Sequence, residues 1–356
     1  MRHAFALISL TSLFAVACQQ ATAEQPTKPE PKPEPTQFSD RAALLRPIQL
    51  ESLTLTPIVA TAAGLPEEDV DVVTLDEAFS KKLVAIKEKE DETVNQLTLT
   101  NKSDKPMFLL AGEVILGGKQ DRIIGQNTII AANQTHVVPV FCVEHGRWTE
   151  GDTGRVFASS GALAHGRLRA QASFNGQSEV WAEVSKKNAS LAIKNGTDTY
   201  RDIATKQTEL GYREKVKEID AAIAKVAPAD RANMIGFVVA LNGKIATIDM
   251  FNSPRLYRKL ETKLVRSYLT EAIDVVAAKD VKPPTVTDVK AFIADADKAK
   301  EQKSYDTDMA ETAKFDGDRA ASSKVMYKPA KAMGKAGKYG VSKQPSPMYE
   351  NFQSKQ

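Results

Sequence analysis

Between Val94 and Glu144 the chain sets out four strand-like runs in direct succession, with no segment of helix length between them. Val94 to Asn101 places Leu97 and Leu99 against Thr98 and Thr100, then stops at the turn cluster Asn101-Lys102-Ser103-Asp104. Pro106 to Leu116 is a mostly apolar run suited to a buried strand. Arg122 to Ala132 and His136 to Glu144 follow. Parallel neighbours need a crossover of about a dozen residues or more. Strands this closely spaced therefore predict an antiparallel sheet, sandwich or barrel. Composition agrees: 42% hydrophobic and 26% charged residues over 356 positions make a core-forming chain, which excludes a collagen-like or wholly disordered one.

Ahead of these runs, Leu50, Leu53, Leu55 and Ile58 open a β-rich stretch, and Thr74 caps a short helix through Phe79. The second half is mixed. Tyr212 to Val226 has helical spacing. Met234–Leu241 and Lys244–Phe251 flank Asn242-Gly243, a two-residue hairpin signal because both turn positions need positive φ. Ser253-Pro254 starts a helix whose stripe is Leu256, Leu260, Leu264, Tyr268, Ala272 and Val276. A last helix is expected from Thr287 to about Lys298. The fold class is α+β: a β-rich core of mainly antiparallel strands, sandwich- or barrel-like, with a few packed helices in the second half. The folded domain is expected over 41–300, β-rich over 45–185 and mixed over 186–300. Residues 301–356, with little apolar periodicity, read as a largely disordered basic tail.

The N-terminus has the layout of an export signal. Arg2 precedes an apolar stretch from Ala4 to Val16, too short to span a bilayer, which takes about 20 residues. Ala15-Val16-Ala17-Cys18 resembles the bacterial lipobox, in which the cysteine is lipidated after a leader of 1–17. Ala21-Thr22-Ala23 offers a rival cut. Five prolines alternate with Lys and Glu between Pro26 and Pro35, so 18–40 reads as a semi-rigid polyproline tether. The expected address is the bacterial cell envelope, as an outer-membrane lipoprotein held through lipidated Cys18, otherwise periplasmic or secreted. With Cys18 lipidated, Cys142 is the remaining thiol and no internal disulfide forms. A formal charge of +3 gives no nucleic-acid footprint.

Familiar catalytic motifs are missing. Gly112 to Lys119 fails the phosphate-loop pattern, because Gly118 intervenes and Gln120 stands where Ser or Thr would hold magnesium. The histidines match no zinc spacing, and no metal site is assigned. The stretch 112–148 stands out because it sets charged groups against apolar strands, where an unpaired charge would cost several kcal/mol. Glu113, Gln120, Arg122, Glu144, Arg147 and Trp148 are the candidate ligand-binding residues. The carboxylates would act as base or sugar-hydroxyl acceptors, the arginines would grip phosphate or carboxylate, and the tryptophan would stack. The same residues also suit a buried structural network. Cys142 is the candidate thiol, and a small buried hydrophobe is its other reading.

These blocks carry a resemblance. Gly112-Glu113, Gly117 to Arg122, Pro139-Val140, Cys142 to Trp148, Gln177 to Val184 with Trp181, and Gly236 to Tyr268 with Phe251 are similar to the ARG and Rhodanese-Phosphatase-superfamily-associated protein domain. ARG here denotes ADP-ribosylglycohydrolase. The resemblance implies a link to ADP-ribose or nucleotide metabolism and names no catalytic residue. It leads to an envelope-tethered domain that binds a small nucleotide- or sugar-like ligand. The alternative is a non-catalytic module for an envelope protein or glycan partner.

Overall fold

The computed structural model describes residues 35–66, 69–88, 94–146, 155–205, 212–328 and 345–355. The leader, Cys18 and the tether up to residue 34 lie outside them, as do Arg147 and Trp148. The described residues form one compact unit.

The main sheet has ten strands, numbered along the chain. Its path runs β1 (Thr36–Gln37), β2 (Ala42–Leu44), β4 (Leu53–Ala60), β14 (Met234–Leu241), β15 (Lys244–Phe251), β19 (Ser346–Ser354), β18 (Ala320–Tyr327), β17 (Ala310–Asp316) and β16 (Glu301–Asp306), with β3 (Ile48–Leu50) beside β4. A second sheet orders β13 (Arg155–Leu163), β9 (Glu113–Gly118), β10 (Arg122–Ile124), β12 (Thr135–Cys142), β7 (Gln96–Asn101) and β6 (Val84–Glu88). A third joins β11 (Thr128–Ile130), β8 (Met107–Leu109) and β5 (Val73–Thr74). Of the pairs between these strands only β5 with β8 is parallel; the rest are antiparallel, as direct succession requires. With eight α-helices among the described residues, largely in the second half, the chain is α+β.

The helices are α1 (Leu75–Ser80), α2 (Gly166–Phe174), α3 (Gln177–Ser190), α4 (Arg201–Thr205), α5 (Arg213–Ala224), α6 (Pro228–Ala232), α7 (Pro254–Ala272) and α8 (Val286–Asp297). Local chemistry explains several. Thr74 and Glu77 form a reciprocal capping box on α1. Ser253 accepts the Leu256 N–H at the start of α7, with Pro254 behind it. The β14–β15 hairpin turns on Asn242 and Gly243 at φ 47° and 78°. Strand β14 is buried on both faces and reads as an unbroken apolar run. Phe237 and Val239 join the core with Leu256, Leu260, Leu264 and Tyr268 of α7. Ile235 and Val238 join the core with Val289 and Phe292 of α8. Val276 is 87% exposed, because α7 ends four residues before it.

Three expectations need correction. The runs at Pro106–Leu116 and Arg122–Ala132 are each two strands, broken where Gly112 takes φ 94° and where β10 hands over to β11 in another sheet. Helices begin at Gly166, inside the stretch read as β-rich. Apolar periodicity fails in α2 because Arg169 is buried among its apolar residues. Finally, residues 301–327 and 346–354 are strands of the main sheet. Their buried positions are filled by Ala, Ser, Thr and Lys as often as by large apolar groups, which hid the alternation. The overlooked signal was the turn cluster Gly317-Asp318 between β17 and β18.

Candidate functional site

The described candidate residues separate into two clusters. Glu113, 1% exposed at the start of β9, accepts the Leu110 N–H at 2.8 Å and the Lys263 ammonium at 2.6 Å. Lys263 also meets Asp76 at 2.6 Å. Burial pushes the Glu113 carboxyl up from its ordinary value, and Lys263 offsets that only in part. Lys263 thereby ties α7 to β9 and α1.

Gln120, Arg122 and Glu144 share the other cluster. Arg122, also 1% exposed, donates to Glu88 at 2.9 Å, to the Val94 carbonyl at 3.1 Å and to the Gln120 carbonyl at 3.0 Å. Gln120 donates to the Glu144 carbonyl at 2.9 Å, and Glu144 accepts the Thr197 hydroxyl at 3.0 Å. Between them, buried Asp121 takes a two-bond clasp from Arg201 and the Gly117 N–H. Cys142 is 1% exposed; burial pushes its thiol up, against the opposing Arg122 guanidinium. The Gln177 side chain bonds both the N–H and the C=O of Cys142, taking the place of a neighbouring strand. Arg122 thus pairs with Glu88 and Glu113 with Lys263, rather than with each other.

Two further networks carry no sequence motif. Asp249, fully buried in β15, receives both Arg169 nitrogens at 3.1 and 2.9 Å, the Tyr268 hydroxyl at 2.6 Å, Asn351 at 2.8 Å and the Tyr349 hydroxyl. Burial alone would raise this carboxyl; the guanidinium and the hydroxyls outweigh it and hold it below its ordinary value. The available signal was an acid inside the apolar run Thr247 to Phe251. The second network is a buried relay. Tyr200 accepts the His165 backbone N–H at 3.2 Å and lies 2.9 Å from Nδ1, while Nε2 lies 3.1 Å from Glu183. A neutral ring protonated on Nε2 satisfies all three contacts at once.

Both networks lead to the concave surface. A groove of about 580 Å³ opens where β14 and β19 end and β15 begins, bounded by Gly166 and Arg167 of α2, Glu271 of α7 and Phe292 of α8. Val239, Leu241 and Ile245 give it an apolar floor, and Arg319 and Lys244 are charged groups of its lining. Pairing of β15 with β19 begins only at Thr247 opposite Gln353, so the strands part where the groove begins. Arg167 Nε meets Glu271 at 3.3 Å, and Arg319 meets Asp295 at 3.1 Å. A neighbouring recess of about 280 Å³ shares Arg167, Gln353 and Ser354 and adds Glu183 and Lys186. None of the described candidate residues lines either hollow.

Taken together, these features define an α+β domain with a large antiparallel sheet, buried ion-paired hubs and a surface groove at the strand ends. Residues 41–335 match the family described as ARG and Rhodanese-Phosphatase-superfamily-associated Protein domain, and the chain belongs to it. The match runs past the expected boundary at 300 through β16, β17 and β18. No curated protein and no solved structure matches the chain.

Proposed function

We propose that this protein is a binding domain for a small polar ligand, displayed at the bacterial envelope through lipidated Cys18 and the proline-rich segment behind it. The groove is the observation that carries the reading. Ligand sites are concave, of about 300–1,000 Å³, mostly apolar, with a few placed polar groups. Here an apolar floor meets Arg167, Glu271 and Gln353 in a hollow of about 580 Å³. The buried networks at Glu113 and Arg122 act as its frame, since their charges are met within the protein. The family's association with ADP-ribosylglycohydrolase makes nucleotide- and sugar-like compounds the first ones to try.

The test is a thermal-shift screen on the chain from Gln19 onward with ADP-ribose, NAD, nucleotides, sugar phosphates, amino acids and short peptides. A ligand at 100 times its Kd adds about 2.7 kcal/mol, a rise of at least a few degrees. The expected result is a rise with one class, lost in Phe292→Ala. A flat response across the panel, from protein that unfolds cooperatively, rejects the reading.

A further inference from the structure

The hydrogen-bond chain that starts at Asp249 fixes what the groove presents to a ligand. An ionised carboxylate only accepts, so the Asn351 side chain must turn its NH₂ toward Asp249, at 2.8 Å. Its oxygen then faces Gln353, whose Nε2 donates to it at 3.0 Å. That leaves Gln353 Oε1 turned away from the hub, with no hydrogen-bond donor among the described residues. Gln353 is 3% exposed and lines both hollows. Beside it, Glu271 is 7% exposed, its carboxylate taking the Arg167 N–H at 3.0 Å and Arg167 Nε at 3.3 Å. A carboxylate offers about four acceptor positions, so capacity remains.

Gly166 opens the space between them. A Cβ built there would lie 3.5 Å from Glu271 Oε2 and 3.7 Å from Gln353 Oε1. Two acceptors carried by buried side chains, one of them anionic, thus lie within 3.7 Å of the place where a side chain at 166 would begin. We propose that this cradle takes the primary ammonium of a short peptide whose apolar side chains lie on Val239, Leu241, Ile245 and Phe292. An ammonium carries three donors and no acceptor, matching what the cradle lacks. Lys244, exposed at the hairpin end of the groove, is a counter-charge for the peptide's carboxylate. A diphosphate in the same place would set its charge against Glu271. The inference rests on the groove being a ligand site and narrows its occupant.

The experiment is isothermal titration of the chain from Gln19 with the dipeptide Leu-Phe, its N-acetylated form and ADP-ribose, repeated on Gly166→Ala. Ordinary van der Waals contact awaits the added methyl, and Gly166 carries no positive φ, so the variant keeps its fold; its thermal midpoint verifies that. The expected result is binding of Leu-Phe, weakened about tenfold or more both by acetylation and by Gly166→Ala, the scale of one lost charged hydrogen bond. Equal affinity for the acetylated dipeptide, or an unaffected Gly166→Ala, overturns the ammonium cradle. Binding of ADP-ribose without Leu-Phe also overturns it and leaves the groove reading standing. No binding by any of the three, in a protein that also gave no thermal shift, removes both.

Discussion

Asp249 shows how much of this molecule is decided by single buried charges. Its carboxylate gathers a guanidinium, an amide and two phenols from α2, α7 and β19. Asp249→Asn leaves Arg169 charged and fully buried without its counter-ion, so a loss of about 3–5 kcal/mol is expected. Tyr349→Phe removes two hydrogen bonds to charged groups, one donated to Asp249 and one accepted from Arg169, and a loss of about 3 kcal/mol is expected. The sign with pH follows from the depressed carboxyl. Its contribution is complete above the unfolded value, about 3.9, and is lost as pH falls through the lower folded value. Urea unfolding from pH 2 to 7 should show a shallower acid limb in Asp249→Asn than in the parent; parallel limbs would mean that other carboxylates set the acid response. The same scale explains what the sequence disclosed of the site. Glu113, Arg122 and Glu144 stood out because charge among apolar residues is visible locally. Their partners Lys263, Glu88 and Thr197 lie 150, 34 and 53 positions away and leave no local trace. Gly166, Glu271 and Gln353 come from three distant elements and were invisible for the same reason.

Elements whose chemistry is local were legible. The Asn242-Gly243 hairpin, the Ser253-Pro254 start of α7 and the Thr74 cap need only neighbouring residues, and each stands where the sequence put it. Helices α2 and α3 were missed because their inward faces carry Arg169, Glu183 and Lys187, whose burial depends on ion pairs and hydrogen bonds with residues outside their own helices. Strand β14 illustrates a constraint of a third kind. At Gly236 the backbone of β15 approaches so closely that a Cβ would lie 1.8 Å from the Asp249 carbonyl oxygen. Gly236→Ala must therefore push apart two central strands, one of which carries the Asp249 hub. A loss of about 3 kcal/mol is expected, the upper part of the range for overpacking. Ser253→Ala, by contrast, removes one cap from α7 and a hydrogen bond to Asp69, and should cost about 1–2 kcal/mol. Chemical denaturation of both variants tests the ranking, and an alanine at 236 tolerated as well as one at 253 would mean that the strands yield more easily than their packing implies.

At the scale of the whole molecule, β19 holds the main sheet together. It lies between β15 and β18, so the sheet is continuous only through residues 346–354. One side holds β1, β2, β4, β14 and β15; the other holds β18, β17 and β16. Without β19 each side exposes a full edge of unpaired backbone groups, and the two share no other strand. The loss is also chemical: Tyr349 and Asn351 leave Asp249, Phe352 leaves the core beneath α8, and Gln353 leaves the groove. A chain ended at Lys300, where composition first suggested that the domain stops, would lack all four C-terminal strands. A chain ended at Lys328 would lack, among the described strands, β19. Both are expected to lose the cooperative thermal transition, and the shorter deletion is the sharper test because, of the described strands, it removes β19 and keeps β16, β17 and β18 in place. Retention of a single transition near the parent midpoint by the chain ended at Lys328 would show that the two half-sheets stand without their shared strand, and the groove could then no longer be read as dependent on the C-terminus.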